Sequence, residues 1–145
     1  MDNNSIVRTF FDAINAQDPD SAAELVTNDS EFTELPTGRI YRGPDGVREN
    51  FQFWFGAFPD GKVEIRNLIG AGDTVVVEYI GRGTNTGPMQ TEQGEMPPTG
   101  KSVQLEFCDV VEVKGGKIAR GRSYFDSGSM MRQLGLIPET AGASR

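Results

Sequence analysis

The sequence predicts an α+β domain: three helices from the N-terminal half and a short C-terminal helix packed over one strongly bent antiparallel sheet. Three observations carry this. Apolar residues recur at helical spacing as far as Phe58, four later segments alternate with period two, and the pair Gly115–Gly116 marks a tight hairpin between the last two segments.

Each element has a local reason. From Ser5 to Ala16, the spacing of Ile6, Val7, Phe10, Phe11 and Ile14 gives an amphipathic helix with Ser5 as its N-cap. Asp18–Pro19 makes a turn, and Asp20 or Ser21 caps a second helix running to about Val26. "SEFTEL" is a short strand and "PTGRIYRGPDG" a loop. "PDGVRENFQFWFGAF" is a third helix, on which Val47, Phe51, Trp54, Phe55 and Phe58 share an apolar face. Beyond Gly61, "KVEIRNLIGAG", "DTVVVEYIGRGTNTG", "KSVQLEFCDVVEV" and "GKIARGRSYFD" are four long strands of an antiparallel meander. "PMQTEQGEMPPTG", between the second and third, is a mobile hairpin loop beside the mouth of any pocket. "SGSMMRQLGL" is the closing helix. Residues 1–137 form one domain, and 138–145 are expected to fray.

Composition narrows the function. Fourteen basic residues against twenty-one acidic ones give a net charge of −7, with no basic stripe to track phosphates, so no nucleic-acid partner is expected. Histidine is absent and Cys108 is the single cysteine, which removes the usual metal ligands, the commonest general base and any internal disulfide. No metal and no cofactor is expected, and acid–base work falls to carboxylates, tyrosines or lysines. No stretch of 18 apolar residues occurs and the N-terminus is polar and acidic, so a soluble cytoplasmic protein without membrane contact is expected. The glycines of "GAGDT" and "GRGTNTG" do not lead from a strand into a helix, and no phosphate cradle follows.

"RGTNTGPM" from Arg82, "PPTGKSV" from Pro97, "DVVEVKGGKI" from Asp109 and "SYFDSGSMMRQLGL" from Ser123 resemble the SnoaL-like polyketide cyclase family of the nuclear transport factor 2-like superfamily. More distantly, "PTGKS" with the final segment is similar to limonene-epoxide hydrolases. The resemblance implies a cone-shaped sheet around a deep apolar pocket, commonly in a homodimer paired through the outer face of the sheet. It implies a small apolar or polycyclic ligand and cyclase or isomerase chemistry by acid–base catalysis, such as an aldol-type ring closure. A non-catalytic binding protein and an epoxide hydrolase or epoxide-opening cyclase are the alternative readings. Tyr79 and Gly81 stand where the epoxide hydrolases carry an arginine and a second aspartate. Phe32 and Glu34 stand where they hold their water with a tyrosine and an asparagine.

The resemblance places the catalytic aspartate at Asp126, with Asn85 or Tyr79 as donors to an oxyanion. Asp126 equally fits the N-cap of the closing helix, so cap and catalyst both stand. Period two puts Arg122 and Tyr124 on the Asp126 side of the last strand, with Ser123 and Phe125 opposite. On the preceding strand Glu106, Cys108 and Val110 form one set, and Leu105, Phe107, Val111 and Val113 the other. By the family alignment the Cys108 set faces the pocket. Cys108 is a small buried apolar residue rather than a nucleophile. Trp54, Phe51 and Phe55 are core residues that also line the chamber in this fold, joined there by Phe32. Glu34 is either a second acid–base group or an exposed strand-edge charge.

Overall fold

The computed structural model describes residues 2–138, so the tail from 139 onward, expected to fray, lies outside the described residues. Helix α1 (Asn3–Asn15) starts two residues before the Ser5 cap predicted for it, because Asp2 is the cap and accepts from the Ser5 N–H at 2.7 Å. Asp18 likewise caps α2 (Pro19–Ala23), whose Pro19 sits where no intrahelical N–H is needed. That helix ends early, and the chain turns into β1 (Val26–Glu34). The segment read as a loop contains β2 (Arg39–Arg42), which pairs antiparallel with β1 through Phe32 opposite Tyr41. Its flanking Pro36, Gly38 and Gly43 masked a strand of only four residues. Helix α3 (Gly43–Ala57) follows.

The meander is formed by β3 (Lys62–Ala71), β4 (Thr74–Thr84), β7 (Ser102–Lys114) and β8 (Lys117–Phe125). The loop before β7 folds into a small hairpin of β5 (Met89–Thr91) and β6 (Gly94–Met96), and α4 (Ser127–Gln133) closes the fold. Gly115 and Gly116 both have positive φ, 58° and 78°, as a two-residue turn between right-twisted strands requires. The large sheet runs β2-β1-β8-β7-β4-β3. Its α+β layering is the predicted one, with a single departure: β1 lies parallel to β8, so the sheet is mixed.

The helices cover one face of this sheet. Ile6, Val7 and Phe11 of α1 pack on Val75, Val77, Val111 and Val113 of β4 and β7. At the other end Ala57, Phe58, Met89, Val103, Leu105, Met130 and Leu134 form a second cluster. Between the two clusters the inner face carries aromatic rings. Glycine makes room for them: a Cβ on Gly121 would stand 2.7 Å from the Phe32 ring, and one on Gly81 2.9 Å from Phe107.

Candidate functional site

The inner face of the sheet decides what can line a cavity, and pairing register identifies it. Tyr79, Phe107 and Phe125 are cross-strand neighbours, and so are Val77, Asp109 and Ser123. Ser123 also pairs with Glu34 across the parallel β1–β8 ladder. Glu34, Ser123 and Asp109 therefore occupy one row on three adjacent strands, with Ser123 between two carboxylates. At ordinary strand spacing the carboxylate-bearing backbones are about 10 Å apart.

A cavity of about 130 Å³ opens over this row. Its wall is mainly apolar, with the rings of Phe32, Phe51, Trp54, Phe55, Tyr79 and Phe107, while Glu34, Asn50, Lys62, Arg82 and Ser123 supply polar groups. A second cavity of about 90 Å³ lies beside it and includes Asp109 in its lining. Ile14, Phe32, Asn50 and Tyr79 line both, forming a partition between them. The rings lock one another: Tyr79 stacks on Phe107 at 4.9 Å with planes 2° apart and meets Phe11 edge-on, and Trp54 meets Phe107 and Phe125 edge-on.

Both carboxylates are held away from water. Asp109 is 5% exposed and accepts from the Tyr79 hydroxyl at 3.1 and 3.2 Å and from Ser123. Its carboxyl is pushed up to about 7, chiefly by burial and further by the Glu34 charge, against the pull of the Ser123 and Tyr79 donors. Glu34 is 2% exposed, accepts from Thr37 Oγ1 at 2.9 Å and from the Trp54 indole N–H, and has Arg39 nearby. Burial raises its pKa against the opposing pull of these partners. Burial, reinforced by the Asp109 charge, lifts the Tyr79 phenol well above its ordinary value, so Tyr79 stays protonated and acts as a donor. One more polar atom faces this region: Asn50 Nδ2 is buried and has no hydrogen-bond partner.

Of the residues singled out in the sequence, the structure brings together Phe32, Glu34, Phe51, Trp54, Phe55 and Tyr79. Glu34 is a buried chamber residue, which settles it against the exposed-edge alternative. The other assignments are corrected. Cys108, Val110, Arg122 and Tyr124 lie on the outer face of the sheet, with Tyr124 45% exposed and Arg122 reaching Glu112 at 3.6 Å. The strand alternation is right and its phase is reversed, which moves every side chain to the opposite face. Asp126 follows the same reversal. Its side chain is 71% exposed, accepts from the Ser129 N–H at 3.0 Å as the N-cap of α4, and lies 3.9 Å from Arg132. Asn85 is buried away from both cavities. Its amide donates to the carbonyls of Ala57 and Gly87 and accepts from the Thr99 N–H and hydroxyl, so no hydrogen or lone pair is left to hold an oxyanion.

Asp109, Ser123 and Asn50 were not among the expected site residues, and two of them, Asp109 and Asn50, had a signal. Asp109 falls in the Leu105, Phe107, Val111 and Val113 set, where a carboxylate on an apolar face demands an explanation. Asn50 interrupts the apolar stripe of α3, three residues after Val47 and four before Trp54.

Among the described residues no helix is long and apolar enough to cross a membrane, and no group of three or more acidic or sulfur-bearing side chains could hold a metal ion. The fold is that of several solved structures. A candidate SnoaL-like polyketide cyclase from Jannaschia sp. CCS1 superposes with a TM-score of 0.80 at 21% identity, covering 92% of both chains. AclR of Streptomyces galilaeus, a candidate hydroxylase, gives 0.78 at 16% over 97% of this chain and 85% of its own. IdmH of Streptomyces antibioticus, a candidate polyketide cyclase, gives 0.73 at 22% over 90% and 96%. At these identities the likeness is one of fold. The family model of the SnoaL-like polyketide cyclases matches residues 5–134, and the chain belongs to that family.

Proposed function

We propose that the protein is a cofactor-free acid–base catalyst of the cyclase or isomerase type, acting on a small, mainly apolar carbonyl compound. One observation carries this reading: two buried carboxylates, Glu34 and Asp109, flank Ser123 on the inner face beneath an aromatic chamber. A charged carboxylate there costs energy that only a matched partner offsets, and such sites are where proton-transfer groups are found. Glu34 lines the larger cavity and takes the base role, removing a proton alpha to the carbonyl. The electron pair moves to the carbonyl oxygen, and the Tyr79 hydroxyl stabilises the enolate. The hydroxyl that donates to Asp109 in the structure turns to the ligand oxygen when Asp109 is protonated, and the Asp109 carboxyl then donates a hydrogen bond to the Tyr79 oxygen. Return of the proton to another carbon completes an isomerisation; attack of the enolate carbon on a second carbonyl, whose oxygen takes the proton back from Glu34, completes an aldol ring closure. A cavity of about 130 Å³ is close to the ~150 Å³ that holds a benzene, so it takes one ring, with a fused second ring at its open side.

The test is alpha-proton exchange of 1-indanone in D2O, followed by proton NMR. Wild-type protein should accelerate exchange above buffer. Glu34→Gln should lose at least 100-fold of that acceleration, within the range of a positioned general base. Exchange unchanged in Glu34→Gln would remove the base from this scheme.

A further inference from the structure

We propose that the side-chain amide of Asn50 is the second donor to the carbonyl oxygen of the bound compound, beside the Tyr79 hydroxyl. This rests on the carbonyl-compound reading above and assigns a residue to its recognition. Asn50 Nδ2 is buried and unpartnered. A buried amide hydrogen without an acceptor destabilises the fold, so its presence calls for something else that accepts it. Every other side chain on the same stripe of α3 is apolar: Val47, Phe51, Trp54, Phe55. No packing need calls for an amide among them, since a leucine would fill the same volume.

The position of the amide tells what the acceptor must be. Asn50 and Tyr79 both stand in the partition shared by the two cavities. Tyr79 is positioned by its hydrogen bond to Asp109 and is freed to donate to the ligand when that carboxyl is protonated, and Glu34 lines the larger cavity that both residues wall. An oxygen placed between the two donors lies against the partition, leaving the apolar body of the ligand in the aromatic chamber and its adjacent carbon on the Glu34 side. The ligand class is therefore a compact cyclic ketone or its enol, with one oxygen directed at α3. A hydrocarbon of the same shape would fill the chamber and leave the amide unpaired.

The experiment compares 1-indanone with indane, which share a skeleton and differ in the carbonyl, by calorimetry and by the Asn50 side-chain amide resonances in 15N-labelled protein. Wild type should bind 1-indanone about tenfold more tightly than indane, and the Asn50 amide protons should shift with the ketone alone. Asn50→Leu should keep only the smaller ketone preference that Tyr79 alone supplies, and should melt at a higher temperature than wild type because the unpaired donor is gone. An undiminished ketone preference in Asn50→Leu, an Asn50 resonance indifferent to 1-indanone, or no binding of either probe overturns the assignment. The exchange assay separates this from the acid–base scheme: a ketone preference in wild type that shows no proton exchange would refute the chemistry and leave the Asn50 contact standing.

Discussion

Asp109→Asn should make the protein more stable, and more so the higher the pH. The carboxyl moves from an ordinary 3.8 to about 7 on folding. The folded state then keeps its proton up to about pH 7, while the unfolded chain gives it up near 4. Across that window the folded state holds more protons, so stability falls as pH rises. The full cost, reached above about pH 7, is roughly 4 kcal/mol at 1.4 kcal/mol per tenfold. An asparagine keeps an acceptor for Tyr79 and Ser123 and carries no charge, so it escapes this cost. For a chain of this size roughly 4 kcal/mol corresponds to about 10 °C in melting temperature. Thermal denaturation of both proteins from pH 4.5 to 8 gives the assay. The difference between them should be small at pH 4.5 and grow toward pH 8, and taking the difference cancels the slope that Glu34 contributes to both. A difference that stays flat, or an asparagine variant less stable at pH 8, would show that Asp109 is not a charge forced into an apolar interior. A stabilising substitution that abolishes proton exchange would mark Asp109 as strain kept for function.

Two further expectations concern residues that the structure places outside both cavities. Asp126→Ala should lose about 1 kcal/mol of stability with the α4 cap and leave 1-indanone exchange within twofold of wild type; a loss beyond tenfold would return Asp126 to the site. Asn85→Ala breaks four hydrogen bonds, two of them buried, that tie the Thr99 segment to Gly87 and to the end of α3, and should cost about 3 kcal/mol, read as a fall of several degrees in melting temperature, with an unchanged result counting against the bracing role.

Much of the fold was legible because local signals agree with it. The apolar spacing of α1, the aromatic stripe of α3 and the Gly115–Gly116 turn each specify an element without tertiary help. Strand β2 was not legible, since four residues between Pro36 and Gly43 show too little alternation to stand out. The site was lost through phase. Period two sorts β7 into two sets, but Cys108 and Val110 on the outer set are almost as apolar as the inner one, so hydrophobicity alone does not say which faces the helices. Covering the sheet with α1 and α3 settles it. Asp126 misled for a related reason: the N-cap of a helix and a catalytic carboxylate at a strand end have the same local sequence, and only the 71% exposure separates them.

Trp54 is the chain's single tryptophan, and it stands in the chamber wall with its indole N–H on Glu34. Its emission therefore has one origin. The ring reports whether the chamber is occupied by an apolar guest, and the N–H reports whether the carboxylate it serves is charged. The protein carries a built-in optical probe of both events, so a fluorescence titration in pH, with and without a guest, would follow the Glu34 proton without any label.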